Sequence, residues 1–180
     1  MPRVLVPLAR GFEEIEAVTV IDVLRRAGLE VVVAALAGDA VEGAHGIRVQ
    51  ADRSLAAVTA ADFDAIVLPG GQPGTSHLGA DQRVRELAQT LARADKIVAA
   101  ICAAPTVLDA AGVLAGKRAT AFPGEELPTA DYSFDRVVED GNVITSRAAG
   151  TAMEFALTLV RRLVGHQAAT DIRQRMLVKT

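Results

Sequence analysis

The sequence predicts an α/β fold with a mostly parallel sheet and helices on both faces. Short apolar runs alternate with longer segments of helical periodicity, and 51% of the residues are hydrophobic while only 3% are aromatic. A core built mainly of Ala, Val, Leu and Ile is typical of a parallel sheet that helices cover on both sides. At 180 residues, the whole chain (1–180) is expected to form a single domain.

The chain begins with a predicted strand–helix–strand unit. "RVLVPL" (3–8) has the pattern of a buried strand, and "EVVVAAL" (30–36) is a second, β-branched run. Between them, "EEIEAVTVIDVLRRAG" (13–28) begins with acids, ends with bases and closes on a glycine, which suits a helix and its macrodipole. Residues 37–62 lose this periodicity, so only short strands and a helical turn are expected there.

Two further strand–helix pairs are predicted next. "DAIVLPGG" (64–71) is a strand that ends in a glycine pair, and a helix follows within "DQRVRELAQTLARAD" (81–95). "KIVAAI" (96–101) is a fourth buried strand, and "APTVLDAAG" (104–112) is the helix after it. In such folds the functional crevice lies at the carboxyl ends of the strands.

The last third of the chain contains a loop, a hairpin and two helices. "ATAFPGEELP" (119–128) is marked as a loop by its Pro and Gly residues, and "RVVEDGNVITS" (136–146) is a hairpin with its turn at Asp140-Gly141. An apolar stripe from Met153 to Val164 predicts a helix, and a final amphipathic segment reaches Leu177.

Charge and cysteine content limit the function classes. With 19 Lys+Arg against 22 Asp+Glu, the net charge of −3 gives no electrostatic reason to expect nucleic acid or an anionic membrane as a partner. One cysteine forms neither an internal disulfide nor a cysteine-based metal cluster. No run is long enough for a membrane span or a signal peptide. A cytoplasmic protein without a membrane partner is expected.

Cys102 is the only cysteine, and it directly follows the fourth predicted strand. The small residues Ala103 and Ala104 and then Pro105 come next, which allows a tight turn into a helix. The partial positive charge at a helix N-terminus would lower the pKa of a thiol placed there. Position alone supports equally the alternative that Cys102 is a small buried apolar residue.

Two other features carry candidate chemistry. Gly70 and Gly71, at the end of the third strand, would leave a backbone N–H free to bind an oxyanion, although an ordinary turn explains the pair as well. The acidic cluster "EEIE" (13–16) fits a solvated first helical turn. A carboxylate from it beside Cys102 would disfavour the thiolate, whereas a protonated acid would favour it.

The three histidines, His45, His77 and His166, show no metal-ligand spacing. They are expected on the surface or in loops, and no metal site is predicted.

Four segments together carry a family resemblance. "GFEEIEAVTVIDVLRRAG", "LPGG", "AAICAAPTVLDAAG" and "ITSRAAGTAMEFALTLVRRLVG", in this order and spacing, resemble the ThiJ/PfpI superfamily, in the branch that contains the parkinsonism-associated deglycase (DJ-one) and bacterial YajL. The resemblance extends from about residue 3 to the last helix. It implies a flavodoxin-like α/β sandwich, a homodimer and a reactive cysteine in the turn after a central strand.

Site residues follow from the resemblance, position by position. It implies that Cys102 is the nucleophile and Glu16 its protonated partner, and that the backbone N–H groups of Gly71 and Ala103 serve as donors beside the sulfur. The segments that resemble the family also suggest substrate or anion contacts at Gly70, Arg26 and Arg147.

Two departures from the family pattern bear on the reaction. Ala103 stands where the protease-like branch has a histidine after the cysteine, so peptide hydrolysis is not expected. Phe122 stands where DJ-one has a histidine near the cysteine. Any general base is then Glu16, water or a group that the sequence does not identify.

Two functions follow from the resemblance. In the first, Cys102 attacks a small dicarbonyl such as glyoxal or methylglyoxal, or its early adduct on an amine or thiol, and releases a hydroxy acid without a cofactor, as a glyoxalase or deglycase in stress defence. In the second, Cys102 is an oxidative-stress sensor, or the switch of a redox-regulated chaperone, that acts through oxidation to sulfenic and sulfinic acid.

Overall fold

Eleven strands and six α-helices make up the described part of the chain, residues 1–179, in this computed structural model. The strands are β1 (Arg3–Leu8), β2 (Glu30–Ala35), β3 (Ala40–Glu42), β4 (Arg48–Gln50), β5 (Arg53–Ser54), β6 (Ala65–Leu68), β7 (Ile97–Ile101), β8 (Arg118–Ala119), β9 (Asp131–Tyr132), β10 (Val137–Asp140) and β11 (Val143–Ser146). The α-helices are α1 (Glu14–Arg26), α2 (Gly74–Ala80), α3 (Gln82–Arg93), α4 (Pro105–Ala110), α5 (Ala152–Leu163) and α6 (His166–Arg175).

Seven strands form one sheet in the order β10-β11-β7-β6-β1-β2-β5. Every neighbouring pair in it is parallel except β10 and β11, which form the predicted hairpin. Numbered along the chain, the five central parallel strands have the order 2-1-3-4-5 that is typical of flavodoxin-like folds. The predicted fold class, α/β with a mostly parallel sheet, is confirmed.

Helices cover both faces of this sheet. α1, α5 and α6 pack on one face, and α2, α3 and α4 pack on the other. Neighbouring residues of one strand enter opposite halves of the core: Val4 and Val6 of β1 face the layer of α1, whereas Leu5 faces the layer of α3. Because both faces are covered, the central strands are apolar along their whole length. None of the helices in residues 1–179 is long and apolar enough to cross a membrane.

The structure differs from the sequence-based prediction in three places. The short helix α2 follows the glycine pair, where no helix was predicted, and the two-residue strands β8 and β9 border the predicted loop. The hairpin turn consists of Gly141 and Asn142, one position later than predicted, because Asp140 still pairs with Val143. Gly141 has a φ of 60°, which a residue without a side chain adopts at little cost.

The sheet topology brings three chain segments to one edge. The chain runs from β1 to β2 on one side and continues with β6 on the other side of β1, so the strand order reverses there. The carboxyl ends of β1, β6 and β7 lie side by side at this reversal. A crevice at such a point is where open α/β sheets bind their ligands.

Candidate active site

Cys102 lies at the carboxyl end of β7 in a backbone conformation that is rare for a residue with a side chain. Its φ is 64°, in the left-handed region. Its N–H donates to the carbonyl of Ser146 at 3.0 Å, and its own carbonyl accepts the N–H of Phe122 at 2.8 Å. These two hydrogen bonds hold the turn, so the side chain of Cys102 leaves the sheet between β7 and α4 and remains partly exposed.

Glu16 approaches Cys102 from the first turn of α1. Its side chain is completely buried, and its Oε2 accepts the N–H of Gly70 at 2.9 Å. Glu13 fixes the start of the helix, because its Oε2 accepts the N–H of Glu16 at 2.7 Å while its own N–H donates to the Gly70 carbonyl at 2.9 Å. The second oxygen of Glu16, Oε1, is buried without a hydrogen-bond partner in the described structure.

Gly70 lies where the start of α1, the end of β6 and the turn at Cys102, called the cysteine turn below, meet. A Cβ at this position would lie 2.6 Å from the Cβ of Cys102 and 2.7 Å from Glu16 Oε2. Contacts this short do not occur in folded proteins, so a side chain here would push the carboxyl group and the cysteine apart. The absence of a side chain at position 70 is therefore what lets Glu16 and Cys102 face each other.

Two backbone N–H groups act on the Cys102 sulfur. Those of Ala103 and Gly71 favour its charged form and so lower the pKa of the thiol. Gly71 has a φ of 90°, which turns the chain after β6 toward the sulfur. The structure thus brings together Cys102, Glu16, Gly71 and Ala103. The same donors would stabilise an oxyanion that forms on a carbon bound to this sulfur.

The carboxyl and the thiol titrate as a pair. Burial raises the pKa of Glu16 to about 7, although the hydrogen bond from Gly70 and the neighbouring Cys102 thiol oppose this shift. Burial also raises the pKa of Cys102 to about 12, and the charge of an ionised Glu16 adds to the effect. The predicted lowering of the thiol pKa was therefore wrong for the thiol beside a charged Glu16, because these effects outweigh the two N–H donors.

Transfer of the proton from the Cys102 sulfur to Glu16 produces a thiolate, while the net charge of the pair stays the same. Above about pH 7 the pair holds one proton, either on sulfur beside a carboxylate or on Glu16 beside a thiolate. The second form places the proton on a carboxyl group whose Oε1 otherwise lacks a partner, and it exposes the thiolate to both backbone donors. The arrangement can therefore supply a nucleophile and a neutral acid together.

The remaining predicted contacts lie in different places. Gly70 is in the centre of the site, as described above. Arg147 follows β11 directly, next to the Ser146 carbonyl that holds Cys102. Arg26 is in the last turn of α1, ten residues and so about 15 Å along the helix from Glu16, and it pairs with Asp22 at 2.7 Å. Within this chain Arg26 therefore lies away from the Cys102 site, and its suggested contact with the substrate stays a prediction.

A second acid–base pair near the site was missed in the sequence. Glu14 is 5% exposed and accepts the backbone N–H of His45 at 2.6 Å and its imidazole Nδ1–H at 2.8 Å. Burial alone would raise the pKa of Glu14, but the hydrogen bonds from His45 and Ile47 outweigh it and lower the pKa. The hydrogen bond to Glu14 in turn raises the pKa of His45. No local pattern connects positions 14 and 45, so the sequence offered no signal for this pair.

Glu13, Glu14 and His45 form a group of side chains that lie close enough to share a cation. One oxygen each of Glu13 and Glu14 and a ring nitrogen of His45 lie within 4.8 Å of one another. Glu14 is already satisfied by its hydrogen bonds to the His45 loop, so the pair has a structural explanation without a metal.

Comparison with known proteins identifies relatives over nearly the whole chain. A sequence model of the DJ-1/PfpI family matches residues 2–162. Protein dj-1beta of Drosophila melanogaster is 42% identical over 179 residues, which cover 97% of this chain and 96% of the relative. The crystal structure of that protein superimposes with a TM-score of 0.95 and covers 99% of both chains.

Two further relatives bear on function. A Caenorhabditis elegans protein named glutathione-independent glyoxalase DJR-1.2 is 38% identical over 163 residues, which cover 89% of this chain and 87% of the relative. A structure described as oxidized DJ-1 of Toxoplasma gondii is 36% identical, with a TM-score of 0.94 and full coverage of both chains. The family model, the sequence relatives and the structures agree on one family and one fold.

Proposed function

The chain belongs to the DJ-1/PfpI family, and we propose on that basis that it is a cofactor-independent glyoxalase that converts small 2-oxoaldehydes, or their early adducts on amines and thiols, into 2-hydroxy acids. Cys102 is the nucleophile and Glu16 carries the proton. The family includes a relative named as a glyoxalase, which supports this choice of reaction. A role in defence against reactive aldehydes follows from that activity.

The reaction begins with proton transfer from the Cys102 sulfur to Glu16. The thiolate attacks the aldehyde carbon, and the oxygen that becomes negative is held by the N–H groups of Gly71 and Ala103. A proton then moves from the former aldehyde carbon to the neighbouring ketone carbon, with Glu16 as acid and base, which leaves a thioester. Water cleaves the thioester, restores the thiol and releases the 2-hydroxy acid. From an early adduct, the thiolate displaces the amine or thiol at the former aldehyde carbon, and the leaving group departs with a proton. The aldehyde carbon is oxidised and the ketone carbon reduced, so no external oxidant is consumed.

The observation that carries this proposal is the geometry of the cysteine turn. A partly exposed sulfur lies between a buried acid with a raised pKa and two backbone N–H donors. A purely structural cysteine has no need of a strained turn, of a glycine that accommodates Glu16 or of donors aimed at its sulfur.

The test compares three substitutions in methylglyoxal and glyoxal turnover. Cys102→Ser and Glu16→Gln are expected to lower kcat/KM by about 100-fold or more, because each removes a group that acts in the reaction. Glu14→Gln serves as the matched control, since it removes a buried acid of the same helix that holds His45 and not Cys102. Turnover that survives Cys102→Ser, or a folded wild-type protein that turns over neither aldehyde, would reject the proposal.

A redox sensor is the second candidate, and one geometric observation favours it. The two donors that would hold an oxyanion would also stabilise a sulfinate on Cys102. The Toxoplasma gondii relative is described as oxidized, which is consistent with this reaction in the family. Mild peroxide followed by intact mass measurement separates the functions: a sensor gains two oxygens at Cys102 faster than the urea-unfolded chain does, whereas equal rates argue against it.

A further inference from the structure

A cavity of about 480 Å³ is bordered by the chain segments that follow Phe122 and Ser146, and it has no role in the proposed reaction. Its walls are residues 123–128, Tyr132, Phe134 and Arg147. The rings of Tyr132 and Phe134 are in edge-to-face contact, with 5.3 Å between their centroids. This cavity, called the Arg147 pocket below, is much larger than a three-carbon dicarbonyl requires.

Both walls of the Arg147 pocket are continuous with the backbone that holds Cys102. Residue 123 follows Phe122, whose N–H donates to the Cys102 carbonyl. On the other side, Arg147 follows Ser146, whose carbonyl accepts the Cys102 N–H. The pocket is therefore linked to the Cys102 backbone through two hydrogen bonds, while Cys102 itself is not among its lining residues.

Arg147 is a partly buried cation without an acidic partner. Its Nη1 donates to the Phe134 carbonyl at 3.3 Å, and its guanidinium lies 6.0 Å from the centre of the Phe134 ring. Within residues 1–179 no Asp or Glu side chain forms an ion pair with it, and its Nε is buried without a hydrogen-bond partner. Charges withdrawn from water are normally paired, so a guanidinium held in this way is suited to an anion.

The acidic side chains around the pocket limit which anions it can bind. Glu125 and Glu126 line the opposite loop, and neither forms an ion pair in the described structure. Two acidic side chains near one cation repel a doubly charged phosphate more strongly than a singly charged carboxylate, so of these two anions the carboxylate is favoured. The aromatic wall suits the carbon chain that carries it.

We propose that the Arg147 pocket binds a carboxylate at the far end of the substrate, so that 2-oxoaldehydes with a terminal carboxylate are used in preference to neutral ones. The inference rests on the proposed function, because it names the substrate class of the same cysteine. Arg147 binds the carboxylate, and Phe134 and Tyr132 contact the carbon chain.

A suitable probe is 4,5-dioxopentanoate, which has an aldehyde, an adjacent ketone and a carboxylate separated from them by two carbons. With one water it yields 2-hydroxyglutarate by the same internal transfer, so atoms and electrons balance. Its methyl ester keeps the chain and removes the charge. The ratio of kcat/KM for the acid to that for the ester therefore measures recognition of the carboxylate alone.

The first experiment measures this ratio in the wild type, Arg147→Gln and Arg136→Gln. The wild type is expected to prefer the acid by about tenfold or more, as one charge-assisted hydrogen bond allows. Arg147→Gln is expected to bring the ratio close to one. Arg136→Gln, which removes a neighbouring arginine paired with Glu154 at 2.9 Å, is expected to keep it. Equal use of acid and ester by the wild type overturns the inference even if both are turned over.

The second experiment does not depend on catalysis. Tyr132 is the only tyrosine in a chain without tryptophan, so intrinsic fluorescence reports on this pocket. Levulinate, which lacks the aldehyde, is expected to change the fluorescence of Cys102→Ala saturably, whereas methyl levulinate and the double variant Cys102→Ala/Arg147→Gln show no such change. If binding is seen without turnover of any dicarbonyl, the proposed function fails and the pocket assignment stands. Absence of a saturable, Arg147-dependent change overturns the assignment.

Discussion

At the scale of single residues, the site depends on one sulfur and one carboxyl group that share a proton. Cys102 occupies a backbone region that costs about 1–3 kcal/mol for a residue with a side chain, and hydrogen bonds to Ser146 and Phe122 hold it there. Glu16 is buried with one oxygen unpartnered. Both features lower stability, and the proposed chemistry at the sulfur gives a reason for both.

The pH dependence of Cys102 alkylation tests the shared proton. In the wild type, the rate of reaction with iodoacetamide is expected to rise with an apparent pKa near 7, where the pair loses its first proton. In Glu16→Gln the thiol titrates alone and is still raised by burial, so the rise should move upward, to the free-cysteine value of about 8.5 or above it. Intact mass measurement follows the reaction, and Glu14→Gln should retain the wild-type profile. Identical profiles for the wild type and Glu16→Gln would contradict the coupling.

The stability of the protein should depend on pH through Glu16. Its pKa is raised from an ordinary value of 4.5 to about 7 in the folded state, so the folded state binds more protons than the unfolded state between these values. The free energy of unfolding therefore falls as the pH rises from about 4.5 to about 7, by roughly 3 kcal/mol from this group.

Urea unfolding at pH 5 and pH 8 measures this contribution. Glu16→Gln cannot ionise at position 16, so it should be more stable than the wild type at pH 8 by an amount that largely disappears at pH 5. The pairs of Glu14 with His45 and of Asp81 with Arg83 are present in both proteins and cancel in the comparison. The same difference at both pH values would show that Glu16 does not titrate in this range.

At the scale of elements, the site is the meeting point of one helix start and two strand ends. The start of α1 carries Glu16, the end of β6 supplies Gly70 and Gly71, and the end of β7 supplies Cys102. Hydrogen bonds run between these segments in both directions, since Gly70 donates to Glu16 and accepts from Glu13. The distance between acid and thiol is therefore set by backbone and not by flexible side chains.

Gly70→Ala tests this dependence on backbone contact. The added Cβ would overlap both Cys102 and Glu16, so we expect turnover to fall by about 100-fold, as small displacements of reacting groups do, with a loss of about 1–3 kcal/mol in stability from overpacking.

Gly79→Ala is the matched control for this substitution. Position 79 lies in α2, and a Cβ there would meet only Val107 Cγ2 at 3.4 Å. Steady-state kinetics and urea unfolding measure both effects. Unchanged turnover in Gly70→Ala would show that the close approach of acid and thiol is not needed.

At the scale of the whole molecule, an apolar surface lies next to the site. Ile15 and Val18 on the outer side of α1 are 58% and 45% exposed. Ile47, in the loop between β3 and β4, is 57% exposed. The backbone N–H of Ile47 reaches Glu14 of the same helix at 3.4 Å, so these side chains belong to one surface. Clustered exposed apolar residues are typical of protein interfaces, and we propose that this surface forms the homodimer expected from the family resemblance.

Val18→Lys should convert the dimer into a monomer, because a charge in the centre of such an interface has no partner. Sedimentation velocity at micromolar concentration measures the change, with the mass of two chains expected for the wild type. Val164→Lys, which replaces a 45% exposed residue at the end of α5, should remain dimeric. A monomeric wild type would reject the proposed interface.

Part of this structure was predictable from the sequence. The four main strands and the long helices lie within three residues of their predicted bounds, because hydrophobic period, caps and glycines act over a few neighbouring positions. The glycine pair and the cysteine were recognised as candidates from their positions at strand ends. The helix α2 was missed, since its sequence "GTSHLGA" lacks an apolar period and follows a turn signal.

The sequence by itself determined the order of the elements, the fold class and the residue types at the strand ends, because these depend on short-range patterns. Only the tertiary structure decided that Gly70 lets acid and thiol meet, that Arg26 lies at the far end of its helix and that Glu14 holds His45. It also decided that burial and the charge of Glu16 raise the pKa of Cys102. These properties arise from groups that are distant along the chain and close in space, where burial and charge act over a few ångströms.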